Sequence, residues 1–340
     1  MKRLFFAALL ALAIAAQGAD YVIAISIDGM GSSYMQKLVD SGNLPHFKQL
    51  EAQSAWTADA RNDFDVTVTL PNHASMITGR PVLGAAGHSW TNNTAPAAGV
   101  TLHSNKGSYV ASVFDVAHDN GKRTGLWAGK RKFSLFAVSY DAQHGAPDVT
   151  GKDDGRNKLD VFFCDKSAPE LTDALLSTMS SQPCQFAFVH FAETDTAGHM
   201  SDWGSADYND ALELLDGCVG RIMDFAATNA ALKGKTTLIV TSDHGGKDRN
   251  HIQADDPLIY TIPFFVWGAG VTAGDLYAFN PVTRRNPGTG HPACTEQPQP
   301  VRNGEVGNLA LKLLGLGSIP GSAIGAQQDL ALTPPQTRKP

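Results

Sequence analysis

The sequence predicts an α/β fold built on a mainly parallel central sheet with helices on both faces. Tyr21-Val22-Ile23-Ala24-Ile25-Ser26-Ile27 is a continuous β-rich apolar run, the pattern of a strand covered on both faces. Gln185 to Phe191, Thr236 to Thr241 and Ile262 to Trp267 have the same character. Helix-like stretches lie between them, at Val110 to Asn120, Pro169 to Ser181 and Ala206 to Ala227, the last with apolar residues at helical spacing. Strand and helix therefore alternate, which is the signature of a parallel sheet joined by crossover helices.

From the amino end, Lys2 and Arg3 precede the apolar run Leu4 to Ala16 and the small residues Ala16, Gly18 and Ala19. This is a secretory signal layout, so residues 1–18 are expected to be a signal peptide cleaved near Gly18, and the protein to be exported, periplasmic or extracellular. The run is shorter than the roughly 20 apolar residues a membrane anchor needs, so no stable span is expected after cleavage. Residues 19–332 are expected to form one domain. Within it, Thr91 to Asp165 is punctuated by Gly and Pro and carries the polar tract Asp148 to Lys158, so part of it is expected to be a small cap or insertion. Residues 333–340, rich in Pro and ending Arg338-Lys339-Pro340, read as a disordered tail.

Of the 340 residues, 43% are hydrophobic and 18% charged, enough apolar material for a sizeable core. Removing Lys2 and Arg3 takes the formal charge from −6 to −8, which gives no electrostatic case for binding a nucleic acid duplex or an anionic membrane. Cys164, Cys184, Cys218 and Cys294 include no CxxC pair, so thiolate zinc is not expected. In an exported chain two disulfide bonds are the default expectation, with three possible connectivities, and buried free thiols the alternative.

Chemistry concentrates where the apolar runs end. Asp28-Gly29 follows the first, placing a hard carboxylate where a Gly lets the backbone approach closely; an isolated Asp-Gly is equally a turn or helix cap. Thr69 stands shortly before Pro71, ahead of a helix-like segment whose N-terminal dipole can stabilise developing negative charge, although a Thr there can also simply cap, and Thr67 is a near neighbour. Asp195 and His199 are four residues apart, close enough to share one ion on a helical turn, and a carboxylate with an imidazole favours zinc over magnesium. Asp243-His244 follows Thr236 to Thr241 and precedes Gly245-Gly246, which supply the turn that lets both side chains face one cavity. Because ligands bind beyond the carboxyl ends of parallel strands, these residues are expected to gather there.

Taken in order, Ile25 to Gly29, Thr69-Leu70-Pro71-Asn72-His73, Asp195 to His199, Ser242 to Gly246 and Ile262 to Gly268 resemble the type I phosphodiesterase/nucleotide pyrophosphatase family of the alkaline phosphatase superfamily. The resemblance implies an alkaline-phosphatase-like fold and two divalent metal ions, zinc by the ligand chemistry. One ion would be held by Asp28, Asp243 and His244 with Thr69 as nucleophile against it, and the other by Asp195, His199 and a third His. His251, shortly before the strand at Ile262, is favoured for that third place, with His291 as competitor. The resemblance also implies an Asn beside the substrate phosphate after a His-Gly element. Here His88-Ser89 occupies that place, so Asn93 or Asn92 is the candidate, with the register open by one residue. Lys130, in Gly129 to Phe133, resembles a segment that approaches substrate in phosphonoacetate hydrolases, a solvated basic loop being the alternative.

The implied reaction is hydrolysis of a small-molecule phosphate ester or phosphoanhydride through a phospho-threonine, with the ions about 4 Å apart. Alkaline phosphomonoesterase and phosphonoacetate-hydrolase-like activity are the enzymatic alternatives, and a non-catalytic exported metal-binding protein is the alternative of another class. A sulfatase would need a C/S-x-P-x-R nucleophile segment, which Thr69 to His73 does not supply.

Overall fold

The computed structural model describes residues 18–335; residues 1–17 and 336–340, on which most of the expected signal peptide and tail fall, lie outside the described residues. The elements run β1 (Tyr21–Ile27), α1 (Ser32–Asp40), α2 (Pro45–Gln53), β2 (Ala55–Arg61), α3 (Thr69–Thr78), α4 (Leu102–Lys106) and α5 (Val113–Asp119). They continue with β3 (Thr124–Ala128), α6 (Ser134–Ser139), β4 (Val161–Cys164), α7 (Ala168–Ser181), β5 (Phe186–Phe191), α8 (Glu193–Ser201) and α9 (Ala206–Thr228). The last are β6 (Thr236–Thr241), α10 (Pro257–Tyr260), β7 (Thr261–Gly268), β8 (Gly274–Asp275), α11 (Leu276–Phe279) and α12 (Val306–Leu313).

All eight strands form one sheet in the order β4-β3-β5-β1-β6-β7-β2-β8. Only β7 runs against its neighbours, pairing antiparallel with β6 and β2, so the sheet is mainly parallel as the alternation predicted. The two-faced burial of β1 follows from its period-two geometry. Val22 and Ala24 enter one core with residues of α3, α5 and α12, while Ile23, Ile25 and Ile27 enter the other with residues of α1, α2, α7 and α9. Every residue of β5 and β6 is buried too, which is why these strands read as unbroken apolar runs rather than alternating ones. The stretch Thr91 to Asp165 contributes β3 and β4 to the main sheet, so it is only in part a departure from it.

Adjacency in the sheet sets up the site. The strands β5, β1 and β6 are neighbours, with Ile27 opposite Phe191 and Ser26 opposite Thr241. Asp28, Asp195 and Asp243 thus leave three contiguous strands at the same carboxyl edge, although 167 and 48 positions separate them along the chain.

The disulfide expectation is corrected: all four cysteines are free thiols. Cys164 ends β4 level with Ala128, which is level with His190, whereas Cys184 precedes β5 at the opposite edge of the sheet. Six strand residues span about 20 Å, and a disulfide requires Cα atoms within about 7 Å. Cys218 lies within α9 and Cys294 in the segment between α11 and α12, on further separate elements.

Candidate active site

Asp28 emerges from β1 with its backbone N–H held by the Phe191 carbonyl at 2.9 Å, and Gly29 then turns the chain at φ 77°. A Cβ on Gly29 would lie 3.1 Å from the Asp195 Cα, so the turn needs glycine for its conformation and for the approach of α8. The Gly29 and His244 amides both donate to Asp243 Oδ1, at 3.0 and 2.9 Å, fixing that carboxylate and leaving Oδ2 turned inward.

Two groups of ligand-type atoms result, Asp28 with Asp243 and His244, and Asp195 with His199 and His251, each drawn together within 4.8 Å. His244 Nε2 lies 3.4 Å from Asp28 Oδ1, 3.3 Å from Asp243 Oδ2 and 3.9 Å from Asp195 Oδ1, so the groups abut. His199 and His251 present Nε2 to Asp195 Oδ1 at 3.3 and 3.6 Å.

The histidines are oriented alike. Nδ1–H of His244 donates to the Gly245 carbonyl at 2.7 Å, that of His199 to Arg249 at 2.8 Å, and that of His251 to Thr67 at 3.0 Å. With Nδ1 committed as donor, each neutral ring turns an Nε2 lone pair inward, the arrangement second-sphere bonds impose on metal-binding histidines. Burial holds the His251 imidazole below its ordinary value, and burial together with the neighbouring His251 takes His244 down to about 3, so both stay neutral. His199, half exposed, is raised by its contact with Asp195.

Donor atoms facing donor atoms are the test of a cation site. Asp28 Oδ1, Asp195 Oδ1, Asp243 Oδ2 and His244 Nε2 are buried and have no hydrogen-bond partner, and they point at one another. Buried polar atoms left this way are destabilising by about 1–3 kcal/mol each, more when charged, unless something cationic sits among them. Carboxylate oxygens with imidazole nitrogens fit zinc or a similar divalent ion. The chain's own cation meets only part of this charge. Lys130 Nζ bridges Asp28 Oδ2 and Asp195 Oδ2, 2.5 Å from each. Burial would raise the Asp28 carboxyl, but Lys130, His190 and His244 outweigh it and hold the group well below the carboxylate range. Asp243, pushed by burial and by the Asp28 charge, goes well above it.

Thr69 is the first residue of α3, following Val68 in extended conformation, and is buried. Its surroundings tie it to both groups. The Thr69 carbonyl accepts from His73 Nδ1 at 2.8 Å, that nitrogen lies 3.6 Å from Asp243 Oδ2, and Thr67 bonds His251 through both its carbonyl and its hydroxyl. Asn93 Oδ1 accepts from the Leu70 amide at 2.9 Å and from Lys132 Nζ at 3.0 Å, which puts Asn93 at the α3 N-terminus. Asn92 instead builds the loop: its side chain accepts from Thr94 and its carbonyl from the Trp90 indole. Ser89, which stands where the resemblance expects Gly, has φ 65°, so the backbone keeps the left-handed turn.

His291 stands apart from these groups. Its Nδ1 donates to the Ala254 carbonyl and its ring stacks on Tyr260 at 4.3 Å. The resemblance gave no role to His190 or His73. His190 accepts from the Gly129 amide at Nδ1 and donates from Nε2 to Asp28 Oδ2 at 2.9 Å, and His73 accepts from Ser26 at Nε2. A lone His within the apolar run Gln185 to Phe191 was the available signal. Lys132 and its contact with Asn93 had none.

The fold superposes on an alkaline phosphatase superfamily protein from Vibrio parahaemolyticus with TM-score 0.57 at 13% identity, over 92% of this chain and 72% of that one. An inactive variant of murine ectonucleotide pyrophosphatase/phosphodiesterase 5 in complex with AMP gives TM-score 0.60 at 15% identity, over 92% of this chain and 99% of that one. The fold is therefore alkaline-phosphatase-like. The model of the Type I phosphodiesterase/nucleotide pyrophosphatase family matches residues 22–285, and the chain belongs to that family of phosphoester-acting enzymes. Mus musculus GPI ethanolamine phosphate transferase 1 is 28% identical over 224 residues, 60% of this chain; the chain spans only 21% of that relative's length.

Proposed function

We propose that the protein is an exported two-metal phosphodiesterase or nucleotide pyrophosphatase acting through a phospho-threonine on Thr69. The observation that carries this reading is the set of four partnerless buried donor atoms on Asp28, Asp195, Asp243 and His244, adjoining the N-terminus of α3 that bears a hydroxyl. Asp28, Asp243 and His244 would hold one cation beside Thr69, and Asp195, His199 and His251 the other, with zinc favoured by the mixed donors. When bound, such ions lower the proton affinity of a neighbouring hydroxyl and take up charge on a leaving oxygen.

The chain's own residues then divide the work. Thr69 Oγ1 attacks phosphorus, the leaving-group oxygen departs, and water hydrolyses the phospho-threonine to restore the hydroxyl. Asn93, its Oδ1 occupied by Leu70 and Lys132, has its amide N–H groups left to donate to a nonbridging oxygen. Lys130 and Lys132 place positive charge where an anionic substrate arrives, and His190 and His73 keep Asp28 and Thr69 in position. Similarity to a phosphate transferase supports a second reading, in which an alcohol replaces water in the second step. The amino-terminal signal layout supports export.

Replacing Thr69 by Ala tests the mechanism: metal content stays at wild type, while hydrolysis of a chromogenic phosphodiester falls by about a thousandfold or more. An undiminished rate would end it. A panel of nitrophenyl monoester, nitrophenyl diester, dinucleotide and phosphonoacetate on one zinc-loaded sample separates diesterase from phosphomonoesterase and phosphonate activity, and product analysis with added alcohols separates transfer from hydrolysis.

A further inference from the structure

A cavity of about 700 Å³ opens beside the candidate metal centre, between the loop after β3, the loop after β4 and helices α8 and α9. Lys130 belongs to both places: it lines the cavity, and its Nζ reaches Asp28 and Asp195. Helix α8 is likewise shared. Asp195 and His199 occupy one stripe of it, and Ala197 and Met200 another that faces the cavity.

The polar groups in the wall are already satisfied. Glu193 accepts from the Ala168 and Ala192 amides, Thr196 donates to the Ala192 carbonyl, and Ser201 donates to Asp207. What remains for a ligand is apolar surface from Ala192, Ala197, Met200 and Ala211, with Met200 71% exposed. Around it stand Arg131 and Lys166, exposed cations with no carboxylate partner among the described residues. Apolar floor and unpaired positive rim are complementary to a molecule that joins a hydrocarbon segment to an anionic head.

Resting on the phosphoester-hydrolase reading, we propose that this cavity is the leaving-group subsite and that it takes an aliphatic chain, making the substrate an anionic amphiphilic phosphoester. The phosphoryl group sits at the metal centre, the chain passes Lys130, and its methylenes cover Ala197, Met200 and Ala211. The floor offers methyl and methylene surface, its Glu193, Thr196 and Ser201 being already bonded within the protein, and the free donors of Arg131 and Lys166 stand at the rim where an anionic head would lie.

Titration of the zinc-loaded full chain with methyl-, butyl- and octylphosphonate, which need no turnover, tests this. Affinity is expected to rise by about three- to fourfold per methylene buried, until the apolar wall is covered. Ala211→Trp, which fills the cavity from α9, and Met200→Glu, at an exposed position, should each weaken octylphosphonate binding at least about tenfold and leave methylphosphonate binding unchanged. Affinity independent of chain length overturns the proposal, as does an unaltered octylphosphonate affinity in both variants. So does AMP binding that responds to Ala211→Trp when the alkyl series does not. If chain-length dependence and its loss in the variants are found but no phosphate ester is turned over, the subsite stands and the hydrolase reading falls.

Discussion

Lys130→Met is the most direct probe of the charge balance at the centre. The ammonium bridges Asp28 and Asp195, whose carboxylates are 0% and 6% exposed, while Lys130 itself is 18% exposed. Asp243 is pushed towards its protonated form, so removing Lys130 from metal-free protein leaves two buried carboxylates without their counter-ion. Breaking a buried pair from one side costs about 3–5 kcal/mol, and the partial exposure of Lys130 places this case near about 3. At about 2 °C per kcal/mol for a chain this large, the melting temperature should fall by about 6 °C. The assay is thermal unfolding of wild type and variant in chelator and in excess zinc. Zinc should close most of the gap, because bound cations neutralise the same carboxylates. A variant melting within about 1 °C of wild type in chelator would refute the reasoning.

Replacing His251 by Ala should remove about one equivalent of bound zinc per chain, while His291→Ala retains both; metal counting with His291→Ala deficient and His251→Ala replete would reverse the assignment. Gly29→Ala should lower both stability and metal content, since its Cβ would press on the Asp195 backbone at 3.1 Å and φ 77° disfavours any side chain; a variant with wild-type metal content would contradict this. His88 is buried between Ser75 and the Trp90 amide, and burial lowers its pKa to about 3. The folded value lies below the unfolded one near 6.5, so the unfolded chain takes up the proton first and stability drops as pH falls from about 6.5 towards 3. His88→Gln should therefore flatten the stability-versus-pH slope between pH 6 and 4 by about 1.4 kcal/mol per pH unit, measured by denaturant unfolding; an identical slope would show that His88 is protonated in the fold.

The sequence by itself determined the class of fold and the principal ligand-type residues. A parallel strand buried on both faces must be apolar throughout, so β1, β5 and β6 stand out as runs, and the polar residues ending them are conspicuous because the strands are not. β7 was visible for the same reason, but its direction was not, since a buried strand reads alike either way. β2 escaped notice because Ala55–Arg61 mixes polar and apolar residues beside a bulge.

Three-dimensional arrangement decided what composition and spacing leave free. The meeting of Asp28, Asp195 and Asp243 depends on β5, β1 and β6 being neighbours, and pairing order is a property of the sheet rather than of any segment. His251 rather than His291 lies beside Asp195 and His199 because the chain after β6 folds back onto Thr67, whereas His291 is held against Tyr260. Lys130 was legible as a candidate for contact with substrate or as a solvated loop base; its place between two carboxylates follows from β3 lying next to β5. The four thiols stay unpaired, and the cavity beside α8 exists, because strands and helices fix side chains at distances along the sheet that separation in the chain does not encode.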